Sequence, residues 1–343
     1  MSAILKDKKI LITGATGSFG RAVIDKIASG PENAPSLIRV FSRDEAKQFQ
    51  LREDLKNYGS SFGGLFEYVI GDIRDPNILY SALSDIQIVI HAAALKHVPV
   101  CEKNPGEAIA INALGAGNLV HAVTYHAKQV EKVVAISTDK ACAPFSLMGM
   151  TKALQERIFI SAAQKTGRSF VCVRMGNMIM SRGSVVPLFL EQIDRGGPLT
   201  ITEPNMTRFF ITLEQAAGHA LTALEYAKAG QIYIPEMKAV SISRLVKELR
   251  GNENVEIKIL GARPGEKLYD ILVSKDEIPY LSPCDRGGFL LSPYPIMKPD
   301  YTQRNRFRDI CSSDSVFQMS DEEIKNILQN AVPAKLELQK QYI

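Results

Sequence analysis

The chain has 343 residues, of which 45% are hydrophobic and 23% are charged, an ordinary composition for a globular protein with a sizeable core. Its 41 basic and 37 acidic residues give a net charge of only +4, which argues against a nucleic-acid-binding protein because such proteins carry a clustered basic excess. The sequence shows no C-x-x-C pair, no signal peptide and no apolar run of about 18 residues, so we expect a cytoplasmic protein without a structural zinc site or a membrane span.

Short apolar, β-branched runs alternate with helical patterns through the first half of the chain. Strands are predicted at 8–14, 38–43, 66–73, 86–93, 131–138 and 169–176, and helices at 21–30, 44–58, 105–126 and 150–166. Apolar strands that alternate with helices indicate a parallel sheet covered on both faces. We therefore predict an α/β protein with a Rossmann-type, doubly wound parallel sheet.

The alternation ends after residue 176. Residues 181–212 mix a helix with polar loops, a helix is predicted at 213–227, and short elements continue to about residue 275. Residues 281–318 are predicted to be irregular, and a final helix at 320–331 starts with a capping box of Ser320 and Glu323. The predicted domains are a Rossmann domain at 1–176 with later return segments, a smaller α/β substrate lobe at 177–280, and a latch-like segment with the final helix at 281–343.

The stretch TGATGSFG at 13–20 lies between the first predicted strand and the first predicted helix. Gly14 permits a tight turn, Gly17 lets the backbone approach a pyrophosphate, and Gly20 allows close helix–strand packing. Free N–H groups at the helix N-terminus would face the phosphates. The pattern is weak by itself, but its position in the chain predicts a dinucleotide-binding turn. The other expected cofactor contacts in this turn are Thr16, Ser18 and Phe19.

The end of the second strand bears on the choice between NAD and NADP. A NAD-binding chain usually has an acidic residue here for the ribose 2′-hydroxyl, whereas this chain has Ser42 and Arg43, with Lys47 one helical turn later. A hydroxyl and two cations suit a 2′-phosphate, so we favour NADP, with NAD as the alternative. In the competing interpretation Arg43 is solvated and Asp44 only caps the helix. Further expected cofactor contacts are Asp72, Ile73, Ala92, Ala93, Ala94, Lys96 and Asn112.

The stretch STDKACAPFSLMGMTK at 137–152 follows the fifth predicted strand. Thr138, Asp139 and Lys140 therefore lie at the carboxyl ends of the strands, where open α/β sheets bind ligands. Met148 and Lys152 are four residues apart and share one face of a helix, which puts Lys152 beside the nicotinamide ribose and Met148 nearer the substrate. Met148 occupies the position at which an acid–base tyrosine would be expected.

These motifs resemble the extended short-chain dehydrogenase/reductase superfamily, through TGxxGxxG, HAAA at 91–94, STDK and the downstream lysine. The stretches STDKACAP…MGMTK, GNMIMSRGSVVPLF, ITEPNMTRFF and RPGEKLYDIL occur in order and narrow the resemblance to the UDP-N-acetylglucosamine 4,6-dehydratases of polysaccharide biosynthesis. The resemblance covers about residues 8–275. It implies a homo-oligomer, a dimer or a hexamer. The length and composition of residues 281–318 suggest the hypothesis that this stretch forms a latch over a neighbouring subunit or the substrate, and the oligomers of the resembled family support it.

The reaction implied by the resemblance is an oxidation at C4 of the sugar by NADP, loss of water across C5 and C6, and return of the hydride to C6. Asp139 would protonate the departing C6 oxygen, and Lys140, kept neutral by burial and nearby cations, would remove the C5 proton. A simple ion pair between the two is the alternative. Because Met148 cannot transfer a proton, Thr138 would relay the O4 proton to Asp139, or through water to Lys152.

The resemblance also implies that UDP-N-acetylglucosamine lies across the two lobes. Asn177 would hydrogen-bond the diphosphate or the sugar, and Val185 begins a helix whose N-terminus can face phosphate. Arg208 and Arg263 are candidate diphosphate ligands, since arginine suits bidentate phosphate recognition. The other implied contacts are Lys96 near the N-acetyl or C3 side, Thr200 and Thr202 beside a strand that pairs with uracil, and Glu266 on a ribose hydroxyl or Arg263.

Two other functions remain open at this point. A UDP-sugar 4-epimerase would need neither an acid at C6 nor a base at C5, so the Asp139–Lys140 pair favours dehydration. A catalytically inactive NADP-binding regulator is the hypothesis that Met148 raises. The sequence fixes neither the configuration at C5 nor the choice of UDP over GDP.

Overall fold

The computed structural model contains one large β-sheet and describes residues 3–58, 62, 64–251, 255–263, 265–292, 298–300 and 312–331. All six strands predicted for the first half of the chain are present. The strands are β1 (Lys9–Thr13), β2 (Leu37–Ser42), β3 (Phe66–Ile70), β4 (Ile88–His91), β5 (Lys132–Thr138), β6 (Ser169–Met175), β7 (Asn177–Met178), β8 (Leu199–Ile201), β9 (Thr207–Ile211), β10 (Ile232–Ile234), β11 (Ala239–Ser241), β12 (Ile257–Ile259), β13 (Leu281–Pro283) and β14 (Phe289–Leu291).

The helices cover both faces of this sheet and build part of a second lobe. They are α1 (Ser18–Ala28), α2 (Glu45–Leu55), α3 (Pro76–Ala82), α4 (Val98–Lys103), α5 (Pro105–Ile109), α6 (Gly115–Tyr125), α7 (Leu147–Thr166), α8 (Val185–Asp194), α9 (Leu213–Tyr226), α10 (Ile242–Arg250) and α11 (Asp321–Ala331). A short 3-10 turn, Asp139–Ala141, follows β5 directly.

The large sheet has the strand order β13-β14-β10-β6-β5-β4-β1-β2-β3. All neighbours from β3 to β10 pair in parallel, and the β14 and β13 strands add antiparallel pairs at one edge. The strand order reverses at β1, and ligands of open α/β sheets bind at such a switch point, outside the carboxyl ends of the strands. The predicted doubly wound Rossmann fold is confirmed.

The strands are apolar throughout because both faces of the sheet are buried. On β4, Val89 belongs to one apolar cluster, and Ile88 and Ile90 belong to the cluster on the opposite face. Helices α1 and α9 pack against each other on the second face. Burial on two sides explains why period-two alternation is missing from these strands.

The second lobe has its own small sheets and its own apolar core. Strands β11, β9 and β7 form one sheet and β12 pairs with β8 in another. Side chains from α8, α10 and α11 close over them in a separate cluster that includes Val186, Phe189, Leu245, Val246, Ile324 and Leu328. The capping box predicted at the start of α11 is present: the Glu323 amide donates to Ser320 Oγ at 3.1 Å, and the Ser320 amide donates to the Glu323 carboxylate at 2.9 Å.

Two predicted elements differ from the structure. The helix predicted at 105–126 is interrupted between α5 and α6 by a π-helical segment, Ala110–Leu114. Residues 281–291 are not irregular: β13 and β14 form a hairpin that extends the large sheet, with Leu281 and Leu291 paired and buried in its core. Of the other residues in the predicted latch, 293–297 and 301–311 lie outside the described residues, and the latch over a neighbouring subunit or the substrate stays a prediction. Among the described residues, no helix is long and apolar enough to cross a membrane.

Candidate active site

A single cavity of about 1060 Å³ begins at the turn after β1, follows the carboxyl ends of the strands and continues into the second lobe. Every site residue predicted from the sequence lines this cavity except Asp139 and Asn112. The fold therefore brings the predicted cofactor and substrate residues to one continuous space. Its volume is at the upper end of the range for sites that hold small ligands.

The glycine-rich turn is shaped for close contact with a ligand. Gly14 has a φ of +68°, and a Cβ there would lie 2.8 Å from the Ala93 nitrogen. A Cβ at Gly20 would lie 2.5 Å from the Ala15 Cα. Gly17 is the N-cap of α1 and has no side chain to cap it, so the first N–H groups of α1 are available to an anion. The turn has room for a dinucleotide pyrophosphate, and the predicted contact with it stays a prediction.

At the end of β2 and the start of α2, some side chains bond within the protein and others face the cavity. Asp44 caps α2 by accepting from the Lys47 amide at 3.0 Å, and its carboxylate also pairs with the Lys47 ammonium, which lowers the pKa of Asp44. The Ser42 hydroxyl accepts a hydrogen bond from Gln48 Nε2 at 3.1 Å. Arg43 keeps 58% of its side chain exposed and reaches Asp72 only at 3.9 Å. The capping interpretation is thus right for Asp44, while Arg43 remains a cation on the cavity wall.

Arg182, which the sequence analysis did not single out, lies over the glycine-rich turn. Its guanidinium donates to the Thr16 carbonyl, and its backbone amide donates to Ser18 Oγ at 3.0 Å. The positive φ of Gly183 and the close approach of the His97 ring fix the loop that carries it. No carboxylate among the described residues forms an ion pair with Arg182, so the second lobe contributes an unpaired cation to the cofactor end of the cavity.

Asn112 is not a cavity residue, contrary to the prediction. Its Nδ2 donates to the Leu95 carbonyl at 2.9 Å and to Thr151 Oγ1 at 3.0 Å, and its Oδ1 accepts from the Leu95 amide at 2.8 Å. Because the whole amide is used inside the protein, Asn112 shapes the segment after β4 rather than contacting a ligand.

Lys140 stands at the centre of a polar cluster where the two lobes meet. Its Nζ lies 3.1 Å from Asp139 Oδ1, 3.1 Å from Asn177 Oδ1 and 3.1 Å from Asp270 Oδ2. Burial lowers the pKa of Lys140, but the carboxylates of Asp139 and Asp270 outweigh it, and the pKa is raised above its ordinary value. The prediction that nearby cations keep Lys140 neutral is therefore wrong: two carboxylates hold it as an ammonium.

Asp139 lies behind this cluster and does not line the cavity. Its side chain is 0% exposed; Oδ1 accepts from Thr138 Oγ1 at 2.7 Å, whereas Oδ2 has no partner among the described residues. Burial and repulsion from Asp270 raise the pKa of Asp139 to about 6, against the opposing effect of Lys140. Thr138 and Lys140 line the cavity and bond to Asp139, so either one can connect Asp139 to the cavity through a hydrogen bond.

Helix α7 supplies Lys152 and Met148. Burial lowers the pKa of Lys152 to about 8, and its Nζ donates to Gln155 Oε1 at 2.7 Å. Met148 packs against Cys101 in a small apolar cluster while also lining the cavity. A Cβ at Gly149 would lie 2.2 Å from the Lys140 carbonyl oxygen. This glycine lets α7 approach the turn that carries Asp139 and Lys140.

A buried ion-pair network fixes the floor of the site. Arg174 on β6 donates to both oxygens of Glu156, at 3.1 and 2.7 Å, and to both oxygens of Glu277, at 2.9 Å each. Ser137 Oγ, at the end of β5, donates to Glu156 at 2.5 Å. Burial would raise the pKa of Glu277, but Arg174 lowers it to about 2. The network ties α7 and the two central strands to the segment that follows Asp270.

The second-lobe end of the cavity contains the predicted substrate residues. Arg208 lies 3.4 Å from Asp270 and donates to the carbonyl of Lys267 at 2.7 Å. The hydroxyl of Thr200 accepts from Gln192 at 2.7 Å, and the Thr200 amide donates to Gln192 Oε1 at 2.9 Å. A ligand that accepts a hydrogen bond from the Thr200 amide must displace this glutamine. The remaining predicted substrate residues also line the cavity; they are Lys96, Asn177, Val185, Thr202, Arg263 and Glu266.

A family model described as polysaccharide biosynthesis protein matches residues 10–285. The chain belongs to this family. A protein of Methanocaldococcus jannaschii, described as an uncharacterized membrane protein, is 40% identical over 340 residues, which cover 96% of this chain and 97% of the relative. UDP-glucose 4-epimerase of Rickettsia bellii is 39% identical over 345 residues, with 94% and 96% covered. The solved structure of Pen from Bacillus thuringiensis is 34% identical, with a TM-score of 0.82, and covers 95% of this chain and 99% of its own.

The resemblance drawn from the motifs is confirmed at the level of this polysaccharide biosynthesis family. The relatives do not show the UDP-N-acetylglucosamine 4,6-dehydratase subtype and do not decide between dehydratase and epimerase.

Two cavity-lining residues, Arg182 and Asp270, escaped the sequence analysis although both lie in motifs that it quoted. Arg182 belongs to GNMIMSRGSVVPLF and Asp270 to RPGEKLYDIL. Their roles were hidden because Arg182 meets Thr16 across 166 residues and Asp270 meets Lys140 across 130.

Proposed function

We propose that this protein is a nicotinamide-dependent nucleotide-sugar 4,6-dehydratase that acts on UDP-N-acetylglucosamine. The observation that carries the proposal is the second acid–base cluster. In addition to Lys152 beside the expected nicotinamide position, the chain provides Asp139 and Lys140, 3.1 Å apart, at the point where the lobes meet. Oxidation at C4 needs one proton-transfer group, whereas elimination of water across C5 and C6 needs a base and an acid as well.

The cofactor end of the cavity fits a dinucleotide. Gly14 and Gly20 leave no room for a Cβ against the neighbouring backbone, and α1 presents free N–H groups beside them. Arg43 and Lys47 on the wall favour the 2′-phosphate of NADP over NAD. The bound nicotinamide would accept a hydride and give it back. The described residues contain no group of side chains that could hold a metal ion, and the proposal uses none.

The chain's own residues would manage the protons. Transfer of one proton from Lys140 to Asp139 over 3.1 Å leaves a neutral amine on the cavity wall and a carboxylic acid behind it. The amine would remove the C5 proton. The acid is hydrogen-bonded to the cavity-lining Thr138 hydroxyl at 2.7 Å and would protonate the departing C6 oxygen by that route. Met148 packs against Cys101 and would take no part in proton transfer, because a thioether carries no exchangeable proton.

The test is a proton NMR time course with UDP-N-acetylglucosamine, run with NADP and with NAD. A new C6 methyl doublet is the expected result, with the ring couplings reporting the C5 configuration. The double variant Asp139→Asn, Lys140→Ala should bind UDP, since it leaves Arg208 and Arg263 in place, and should form no methyl signal. Dehydration at the normal rate by this variant would refute the roles given to the pair.

A UDP-sugar 4-epimerase is the second candidate, and the name of the Rickettsia bellii relative favours it. The same NMR experiment separates the two functions. Epimerisation inverts the configuration at C4, which changes the ring proton couplings at C4, and it creates no methyl group. UDP-glucose is tested beside UDP-N-acetylglucosamine for this reason. Cofactor binding with no change in either sugar would leave the catalytically inactive regulator. The expected homo-oligomer is tested by light scattering on the same samples.

A further inference from the structure

Asp270 is a second-lobe carboxylate that reaches the acid–base turn of the Rossmann domain. Its Oδ2 lies 3.1 Å from Lys140 Nζ, 3.4 Å from Asn177 Nδ2 and 3.4 Å from Arg208 Nε. The side chain is buried, with 3% exposed. Donors from three different elements therefore stabilise the charged form of this carboxylate.

The backbone of Asp270 is held as firmly as its side chain. The Asp270 amide donates to Ser313 Oγ at 3.0 Å, and the Ser313 amide donates back to the Asp270 carbonyl at 2.9 Å. Ser313 Oγ in turn donates to the Thr207 carbonyl at 2.9 Å. The segment beginning at Ser312 thus fixes Asp270 against β9, which keeps its carboxylate in reach of Lys140.

Asp139 and Asp270 flank the same ammonium in unequal surroundings. Asp139 is fully buried and one of its oxygens has no partner among the described residues, whereas the Asp270 carboxylate receives several donors. Two carboxylates that share one site do not both remain charged with equal ease, and the less stabilised one takes up a proton first.

We propose that Asp270 is a positioning residue that stays ionised beside Lys140 and directs the exchangeable proton of the cluster onto Asp139. Burial and Asp270 raise the pKa of Asp139 to about 6. Burial alone would raise the pKa of Asp270, but Lys140 and Arg208 lower it below its ordinary value. The pKa values of the two carboxyls are therefore moved apart, and Asp139 becomes the acid of the pair.

The consequence for catalysis rests on the proposed dehydratase function. When the Lys140 proton moves to Asp139, Asp270 keeps its charge and does not compete for the proton. The neutral Lys140 amine then takes the proton from C5, the C5–C6 double bond forms, and the C6–O bond breaks. The leaving oxygen receives the Asp139 proton and departs as water. Asp270 touches no reacting atom in this sequence.

The other charged groups around the turn are accounted for by their own partners. Glu156 on α7 is neutralised by Arg174, and Lys152 on the same helix donates to Gln155. The charged and titratable groups that face the turn from the packed elements are Lys140, Cys142, Lys152, Glu156, Arg174, Arg208, Asp270 and Glu277.

The test is a pH titration of aspartate carboxyl carbons by ¹³C NMR on full-length protein labelled at aspartate. The Asp139 signal is assigned by its loss in Asp139→Asn, and it should titrate near pH 6 in the unmodified chain. In Asp270→Asn the Asp139 midpoint should fall by about one pH unit or more, since the like charge on the other side of the shared Lys140 ammonium is removed. An unchanged midpoint in a folded Asp270→Asn protein would overturn the proposal.

Matched variants separate the charge of Asp270 from its packing. Asp276→Asn removes an exposed carboxylate from the same segment and should leave the Asp139 titration unmoved. Asp270→Glu keeps the charge and should keep the raised midpoint. If Asp270→Asn does not fold, the unmodified chain and Asp139→Asn are compared. A carboxyl signal with a midpoint near pH 6 that is still present in Asp139→Asn would belong to another carboxyl and would refute the assignment. None of these readouts needs turnover, so a failed dehydration assay leaves this result standing.

Discussion

Replacing Arg174 by methionine should destabilise the protein through the carboxylates that it leaves behind. The guanidinium makes four hydrogen bonds to Glu156 and Glu277 and a fifth to the Leu272 carbonyl at 2.8 Å. Removing one side of a buried, hydrogen-bonded ion pair typically costs about 3–5 kcal/mol, because the remaining charge has no compensation. We expect Arg174→Met to lower the free energy of unfolding by about that amount at pH 7.

The pKa of Glu277 gives an independent magnitude for the same interaction. Its fall from 4.5 to about 2 corresponds to about 3 kcal/mol of stabilisation of the native state. Because the folded pKa is depressed, this stability is fully present above pH 4.5 and is lost as the pH falls towards 2. In Arg174→Met the pKa of Glu277 should be raised instead, because burial then acts on its carboxyl without the opposing guanidinium. Mild acid then neutralises Glu277, so the deficit of the variant should shrink between pH 7 and pH 5.

The assay is urea unfolding followed by circular dichroism at both pH values, since the chain has no tryptophan. Arg157→Met is the matched control: it removes an exposed arginine next to Glu156 on α7, and should change stability by less than about 0.5 kcal/mol. A loss below about 1 kcal/mol for Arg174→Met, or a deficit that is the same at pH 7 and pH 5, would refute the reasoning.

Three further predictions test the site. Gly149→Ala should abolish turnover and destabilise the protein, because its Cβ would lie 2.2 Å from the Lys140 carbonyl oxygen. Gly117→Ala, which has open space at the Cβ, should retain activity and stability. Thermal melts and the NMR assay measure both variants. Met148→Leu should cost less than about 1.5 kcal/mol and keep turnover, since volume-conserving changes are tolerated and this side chain moves no proton; loss of all activity with an intact fold would contradict that role. Arg182→Gln should weaken NADP binding roughly tenfold by calorimetry, the equivalent of one charge-assisted contact; an unchanged affinity would show that this cation faces solvent.

The sequence by itself determined the features that depend on neighbouring residues. Apolar strands alternating with helices specify the doubly wound sheet, and the spacing of Gly14, Gly17 and Gly20 specifies the turn after β1, because backbone geometry over a few residues is enough to produce both. The position of Thr138, Asp139 and Lys140 at the end of β5 follows in the same way, since parallel strands present their carboxyl ends at one edge of the sheet.

Only the tertiary structure decided the charge state of the site. Asp270 lies 130 residues from Lys140 in the chain but 3.1 Å from its ammonium. Together with Asp139, it holds as a cation a lysine that was expected to be neutral. The tertiary structure likewise buries the Asn112 amide outside the cavity and adds residues 281–291 to the large sheet as a hairpin. Local sequence cannot give these results, because a pKa and a hydrogen-bond partner depend on which distant groups the fold brings within a few ångströms and on how much water it excludes.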